Sequence, residues 1–139
     1  MADENFDFVT AETNNIMVSA YQEPLEKQEN QARTLWAYCL RIENNSNEKI
    51  RLMRKDFCIT DNHGHNHYEQ SLGFHGELPD LEAGECFEFE DTITTDGDAA
   101  VLYGFCRAKS ESGQEIAVKL PLIELNSNQY KALQTATCH

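Results

Sequence analysis

The sequence predicts an all-β sandwich of seven or eight antiparallel strands. Segments of apolar residues at period two recur along the chain, and turn signals separate them at roughly 8–12-residue intervals. No segment before residue 125 carries the 3.6-residue period of an amphipathic helix.

Phe8 to Thr13 is expected to form a short strand, and Asn14-Asn15 a turn. Ile16, Val18 and Ala20 alternate with Met17, Ser19 and Tyr21, which suits a strand near a sheet edge. Glu23 to Arg33 is polar and highly charged and has no apolar face, so it is expected to be a surface loop. Thr34 to Glu43 shows the clearest alternation, with Trp36, Tyr38, Leu40 and Ile42 on a core face. Asn44 to Asn47 is a dense turn signal, after which the next strand should return antiparallel. In that strand, Lys49 to Thr60, Ile50 and Leu52 share one parity while Phe57 and Ile59 take the other. A bulge or a switch of sheets is therefore expected near Arg54-Lys55-Asp56.

Asp61 to Gly64 reads as a tight turn. Cys86 to Thr94 sets Phe87, Phe89 and Ile93 against Glu88 and Glu90, and Asp96-Gly97-Asp98 turns the chain. Val101, Tyr103 and Phe105 alternate with Leu102, Gly104 and Cys106. Ile116, Val118 and Leu120 complete a last strand before Pro121. The domain is expected to span residues 1–125, leaving 126–139 as a tail with a short helical turn capped by Ser127.

A chain of 139 residues suits one domain, large enough to bury roughly two thirds of its unfolded surface. No apolar run approaches the ~20 residues that span a bilayer. The acidic N-terminus has no signal-peptide pattern, so the cytoplasm is the expected location and no membrane insertion is expected. Cys39, Cys58, Cys86, Cys106 and Cys138 are odd in number and widely spaced, which argues for reduced thiols instead of a disulfide framework or zinc knuckle. Cys39 and Cys106 lie where antibody domains place their inter-sheet disulfide. Cys39, however, has the parity opposite to Trp36, Tyr38 and Leu40 and should face outward.

A net charge of −13 argues against nucleic acid as a partner. Seven of the eleven basic residues fall between Lys27 and Lys55, while Asp56 to Cys106 holds twelve acids and no Lys or Arg. Such asymmetry marks a solvated acidic face, or a surface that selects a basic partner or enriches cations.

VSAYQEP, WAYCLRIENNSNEKIRLMRKDFCITDNHG, GFHGELPDLEAGECFEF and IAVKLPLIEL occur in an order and spacing that resemble the ApaG family over about 110 residues. The resemblance implies an immunoglobulin- or fibronectin-III-like sandwich. It also implies a non-catalytic protein-interaction or regulatory module linked to cobalt resistance and magnesium efflux. Members often carry a G-x-G-x-x-G run, read as a nucleotide or pyrophosphate site. Here Ser71 replaces its first glycine, leaving Gly73 and Gly76. No helix is signalled after them, and Glu77 would repel an anion.

The stretch from Asp61 to Phe87 thus holds the candidate sites. Phe74 and His75 are expected at a loop apex with the acids Glu77, Asp80, Glu82 and Glu85, and Phe74 is either an exposed anchor for a protein partner or a cap on the core. His63, His65 and His67 alternate, so a divalent transition metal is an alternative ligand, with Asp61 or Glu69 adding oxygen. The turn at Asp61 to Gly64 should place His63 at the hairpin tip, out of line with the others. A phosphoanhydride or nucleotide at Gly73 to Gly76 is the second alternative. No catalytic motif occurs, and Glu88 and Glu90 read as the wet side of a strand. No cofactor is otherwise expected, and self-association stays open.

Overall fold

The computed structural model describes residues 8–28 and 33–126. Ten strands follow in order: β1 (Val9–Thr13), β2 (Ile16–Gln28), β3 (Arg33–Asn44), β4 (Ile50–Asp61), β5 (Asn66–Leu72), β6 (Asp80–Leu81), β7 (Cys86–Asp96), β8 (Ala99–Ser110), β9 (Glu115–Lys119) and β10 (Ile123–Asn126). One sheet runs β1-β2-β3-β7 and the other β10-β8-β4-β5, with β6 paired to β4 and β9 to β8. All pairings are antiparallel. The all-β sandwich is as expected. It has more strands because short β6 pairs with β4 beyond β5, and because β10 forms after the proline that was expected to end the sheet. No helix among the described residues is long and apolar enough to cross a membrane.

Two-residue periodicity builds the core. Trp36, Tyr38, Leu40 and Ile42 of β3 are fully buried, as are Ile16, Val18 and Ala20 of β2 beside them. From the second sheet come Ile50, Leu52, Phe57 and Ile59 of β4 and Leu102, Cys106 and Ala108 of β8. The Trp36 indole donates to Thr95 Oγ1 at 2.9 Å, satisfying a polar group that its burial removes from water. The four cysteines among the described residues are free thiols; Cys106 is buried, and burial pushes its pKa up to about 12.

Several local expectations are corrected. Glu23 to Gln28 continues β2, and Arg33 already belongs to β3, because pairing with the well-formed β3 extends the ladder through a bulge between Pro24 and Glu26. β2 stands second in its sheet, beside the edge strand β1, in keeping with its expected place near an edge. β4 does not pair back onto β3 but enters the other sheet. The bulge in β4 lies between Leu52 and Arg54, slightly earlier than the expected position. The helical turn expected after Asn126 falls outside the described residues.

Asn44 explains the crossing between sheets. It is fully buried at the end of β3, and all its polar groups are engaged. Its amide donates to Glu85 O and its carbonyl accepts from Gly84 N. Nδ2 donates to the carbonyls of Glu48 (2.8 Å) and Leu81 (2.9 Å), while Oδ1 accepts from Ser46 N and Oγ. The side chain thus replaces the backbone partners that a continuing ladder would have supplied.

Asn44→Ala is expected to destabilise the fold by about 2–4 kcal/mol, since it strands two carbonyls at the corner. Urea unfolding checks this, and a loss under about 1 kcal/mol would show that the corner is held by other contacts.

Candidate functional site

The glycine loop between β5 and β6 is closed upon itself. Phe74 N donates to Glu77 O (2.8 Å) and Glu77 N to Phe74 O (3.0 Å), while Gly73 N donates to Met53 O (2.8 Å). His75 and Gly76 both have positive φ, 52° and 82°, the two-residue turn of a tight hairpin. A Cβ at Gly73 would lie 2.6 Å from Glu77 O, so the close approach of backbone requires glycine there. Three amides that a phosphate cradle would need are therefore spent on protein carbonyls, which removes the ground for a nucleotide at Gly73 and Gly76.

Phe74 does not protrude. It is 1% exposed and meets Phe87 and Phe89 edge to face at centroid distances of 5.6 and 5.1 Å. Lys55 Nζ lies 4.8 Å from the Phe89 ring centre. The exposed-anchor expectation fails because the turn at His75-Gly76 folds the ring inward, leaving Phe74 as a cap on the core. His75 is exposed, but its ring lies on Phe89 (4.6 Å), and its Nε2 donates to Glu90 O at 2.9 Å. Glu77, Asp80, Glu82 and Glu85 are all exposed. Two of them brace the structure. Asp80 forms a two-pronged ion pair with Arg51, and Glu85 Oε1 accepts from Glu82 N.

The histidines are organised by a residue that the sequence offered only as an accessory. Asp61 ends β4 with its side chain buried, and its Oδ1 accepts from the amides of His63 and His65, both at 2.9 Å. Asp61 Oδ2 is buried without a hydrogen-bond partner. It lies 3.4 Å from His65 Nδ1 and 3.6 Å from His67 Nε2, and Asp96 Oδ2 of β7 lies 3.5 Å from His65 Nδ1. Asp61, His65 and Asp96 therefore converge. The His63 ring stacks on that of His65 at 6.3 Å, and neither His63 nor His67 joins the converging group, so the three histidines do not form one ligand set. Burial opposes ionisation of Asp61, but the two donated amides and the nearby His65 outweigh it and hold the carboxyl below its ordinary range.

Sequence reasoning missed the outer face of the six-stranded sheet. Tyr68 of β5 and Tyr103 of β8 flank Cys58 of β4, and one row along Gln70, Asp56 and Phe105 stand in line. Tyr68, Leu72, Tyr103, Phe105 and Leu122 are exposed by 39% to 68%. Asp56 accepts from Arg107 Nε at 2.7 Å and Arg54 Nε at 3.0 Å, and the Arg107 guanidinium lies 5.8 Å from the Phe105 ring centre. The hydrogen bond from Arg107 is the main cause that holds Asp56 below the usual carboxylate range, and Arg54 adds to it against the opposing effect of desolvation. The signal available in the sequence was β8 itself, which is apolar on both parities, as a strand with one solvated face is not. On the opposite face of the sandwich, Glu88 pairs with Arg41 and Glu90 accepts from the Cys39 thiol. Both acids lie on the exposed side of β7, as read from the sequence.

Phe74→Ala is expected to cost about 3–5 kcal/mol of stability, read by urea unfolding; a neutral result would return Phe74 to the surface. The pH dependence follows from Asp56 and Asp61. Both bind protons less tightly folded than unfolded, so their stabilisation is complete above the ordinary carboxylate range. It is lost as pH falls below about 4 through the folded values. Thermal melts from pH 7 to 3 should show this decline, and Asp61→Asn should remove part of it.

The profile of the ApaG domain matches residues 24–110, more than half of the chain. The Protein ApaG of Parvibaculum lavamentivorans is 29% identical over 119 residues, spanning 86% of this chain and 92% of that protein. The Protein ApaG of Sinorhizobium fredii is 30% identical over 117 residues, spanning 83% and 90%. An X-ray structure of a structural-genomics target superposes with a TM-score of 0.78 at 25% identity, covering 84% of this chain and 89% of that one. The putative ApaA protein of Bordetella pertussis superposes with a TM-score of 0.76 at 21% identity, over 87% and 94% of the two chains. With a domain profile over most of its strands and relatives along most of its length, the chain belongs to the ApaG family.

Proposed function

We propose that this chain is a non-catalytic binding module that docks another protein on the outer face of its six-stranded sheet. The observation that carries the reading is the row Tyr68, Cys58, Tyr103 with Phe105 and Leu72 beside it, all on one exposed face. Large aromatic side chains around an arginine are the composition of interface hot spots. Solvated sheet faces ordinarily alternate apolar-in with polar-out, so outward tyrosine and phenylalanine need another explanation.

Charge narrows the partner. The protein carries −13 overall, yet on this face Arg51, Arg54, Arg107, Lys109 and Lys119 slightly outnumber the acids Asp56, Asp80, Glu115 and Glu124. Arg54 and Arg107 share the single carboxylate of Asp56, which leaves the pair with a net positive charge. The opposite sheet face carries Glu43, Glu88 and Glu90 around Arg41, and its other arginine, Arg33, is paired with Asp96. The fitting partner is a protein surface with an apolar centre and an acidic rim, attracted here and repelled from the rest of the molecule. In this reading a role in divalent-cation homeostasis is exerted through that contact and not through catalysis.

A photo-crosslinking residue at Tyr103 is expected to capture a defined partner in cells, and the same residue at Met17 on the other sheet is not. Against the purified partner, Tyr68→Ser/Tyr103→Ser should weaken binding at least about tenfold while leaving the melting temperature unchanged. Equal capture at both positions, or undiminished affinity of the double variant, removes the proposal.

A further inference from the structure

We infer that Asp61, His65 and Asp96 form a binding site for one divalent first-row transition-metal ion, of which Zn(II) is the simplest representative. The donors come from both sheets: Asp61 ends β4, His65 follows its turn, and Asp96 ends β7. Their ligating atoms all lie within 4.8 Å of one another. The separations from His65 Nδ1, 3.4 Å to Asp61 Oδ2 and 3.5 Å to Asp96 Oδ2, are informative. Ligands held about 2.1 Å from a tetrahedral zinc stand about 3.4 Å apart. His67 Nε2, 3.6 Å from Asp61 Oδ2, stands beside the same oxygen.

A second observation points to a cation. Asp61 Oδ2 is buried in a fully covered side chain and accepts no hydrogen bond, although two imidazole nitrogens face it. A buried, unsatisfied carboxylate oxygen is costly. The imidazole nitrogens stand too far off, at 3.4 and 3.6 Å, to satisfy it well, and a bound cation would do so.

The supporting shell is built. Asp61 Oδ1 is pinned by the amides of His63 and His65, and Asp96 Oδ1 accepts from Arg33 Nε at 3.2 Å. Each carboxylate thus has one oxygen anchored and the other turned toward His65, the arrangement that orients metal ligands. The two turns are latched together. Asn62 N donates to Ala99 O and Asn62 Nδ2 to Asp98 Oδ1, while a Cβ at Gly97 would collide with Asn62 Oδ1. His65 and Asp96 are partly exposed, which leaves a side open for entry and for a water ligand.

Donor chemistry selects the class. An imidazole with two carboxylates suits Zn(II), Co(II) or Ni(II). Magnesium and calcium favour all-oxygen shells, so the imidazole nitrogen directs the site away from them. Two carboxylates and a neutral histidine carry −2, which a divalent ion cancels.

The test is calorimetric titration of Zn(II) into the full chain carrying Cys86→Ser/Cys138→Ser, which removes the thiol exposed among the described residues and the one outside them. One equivalent should bind, and calcium or magnesium should not displace it. His65→Ala, Asp96→Asn and Asp61→Asn should each weaken binding roughly 10–100-fold, and His63→Ala should leave it unchanged. Asn at position 61 keeps the oxygen that accepts the two amides; should that variant still fail to fold, His65→Ala and Asp96→Asn, at more exposed positions, decide the matter. Absence of binding in the parent, retention in both of those variants, or equal loss in His63→Ala overturns the site.

Discussion

A single extra residue in β4 governs both faces of the molecule. The register with β8 slips between Leu52 and Arg54, so Ile50 and Leu52 face inward before the bulge, and Lys55, Phe57, Ile59 and Asp61 face inward after it. Because side chains alternate with period two, a slip of one residue exchanges the faces of everything downstream. Without the bulge Phe57 and Ile59 would lie in water, and Arg54, Asp56 and Cys58 would point at the core.

The bulge also creates a difficulty, since it turns two charged residues inward. Lys55 is 6% exposed and resolves its burial with Glu69 at 3.5 Å and the ring of Phe89. Phe74 packs against that same ring, which ties the closed glycine loop to the lysine. Next to this group the Tyr38 hydroxyl is buried, and burial followed by the charge of Glu69 pushes its ionisation well up. At the other end of the strand Asp61 uses backbone amides instead, and only one of its two oxygens is satisfied. Charge at one end is matched; at the other it is left available.

Both proposed surfaces follow from the same strand. The outward row after the bulge centres the aromatic face on Asp56 and Cys58, and the last inward residue supplies the buried oxygen of the metal site. β5 links them, as it begins directly after His65 and presents Tyr68 three residues later. An ion bridging Asp61, His65 and Asp96 would fasten the start of β5 to β7 of the opposite sheet. In that way it would steady the edge of the aromatic face.

Local alternation in the sequence was enough to determine the sandwich, the core stripe Trp36, Tyr38, Leu40 and Ile42, the turn at Asp61, and the need for a register change in β4. Each of these depends on neighbours in the chain, where period and turn chemistry are direct signals. Pairing partners and side-chain direction in loops were settled by the tertiary structure. It extended β2 to Gln28, sent β4 into the second sheet at Asn44, and folded Phe74 inward. It also brought Asp96 to His65 across 31 positions of sequence (96 − 65). No local pattern encodes that meeting, because it depends on which turns the two sheets bring together. The histidines and Asp61 were legible in the sequence as neighbours, but Asp96 joined them only in three dimensions.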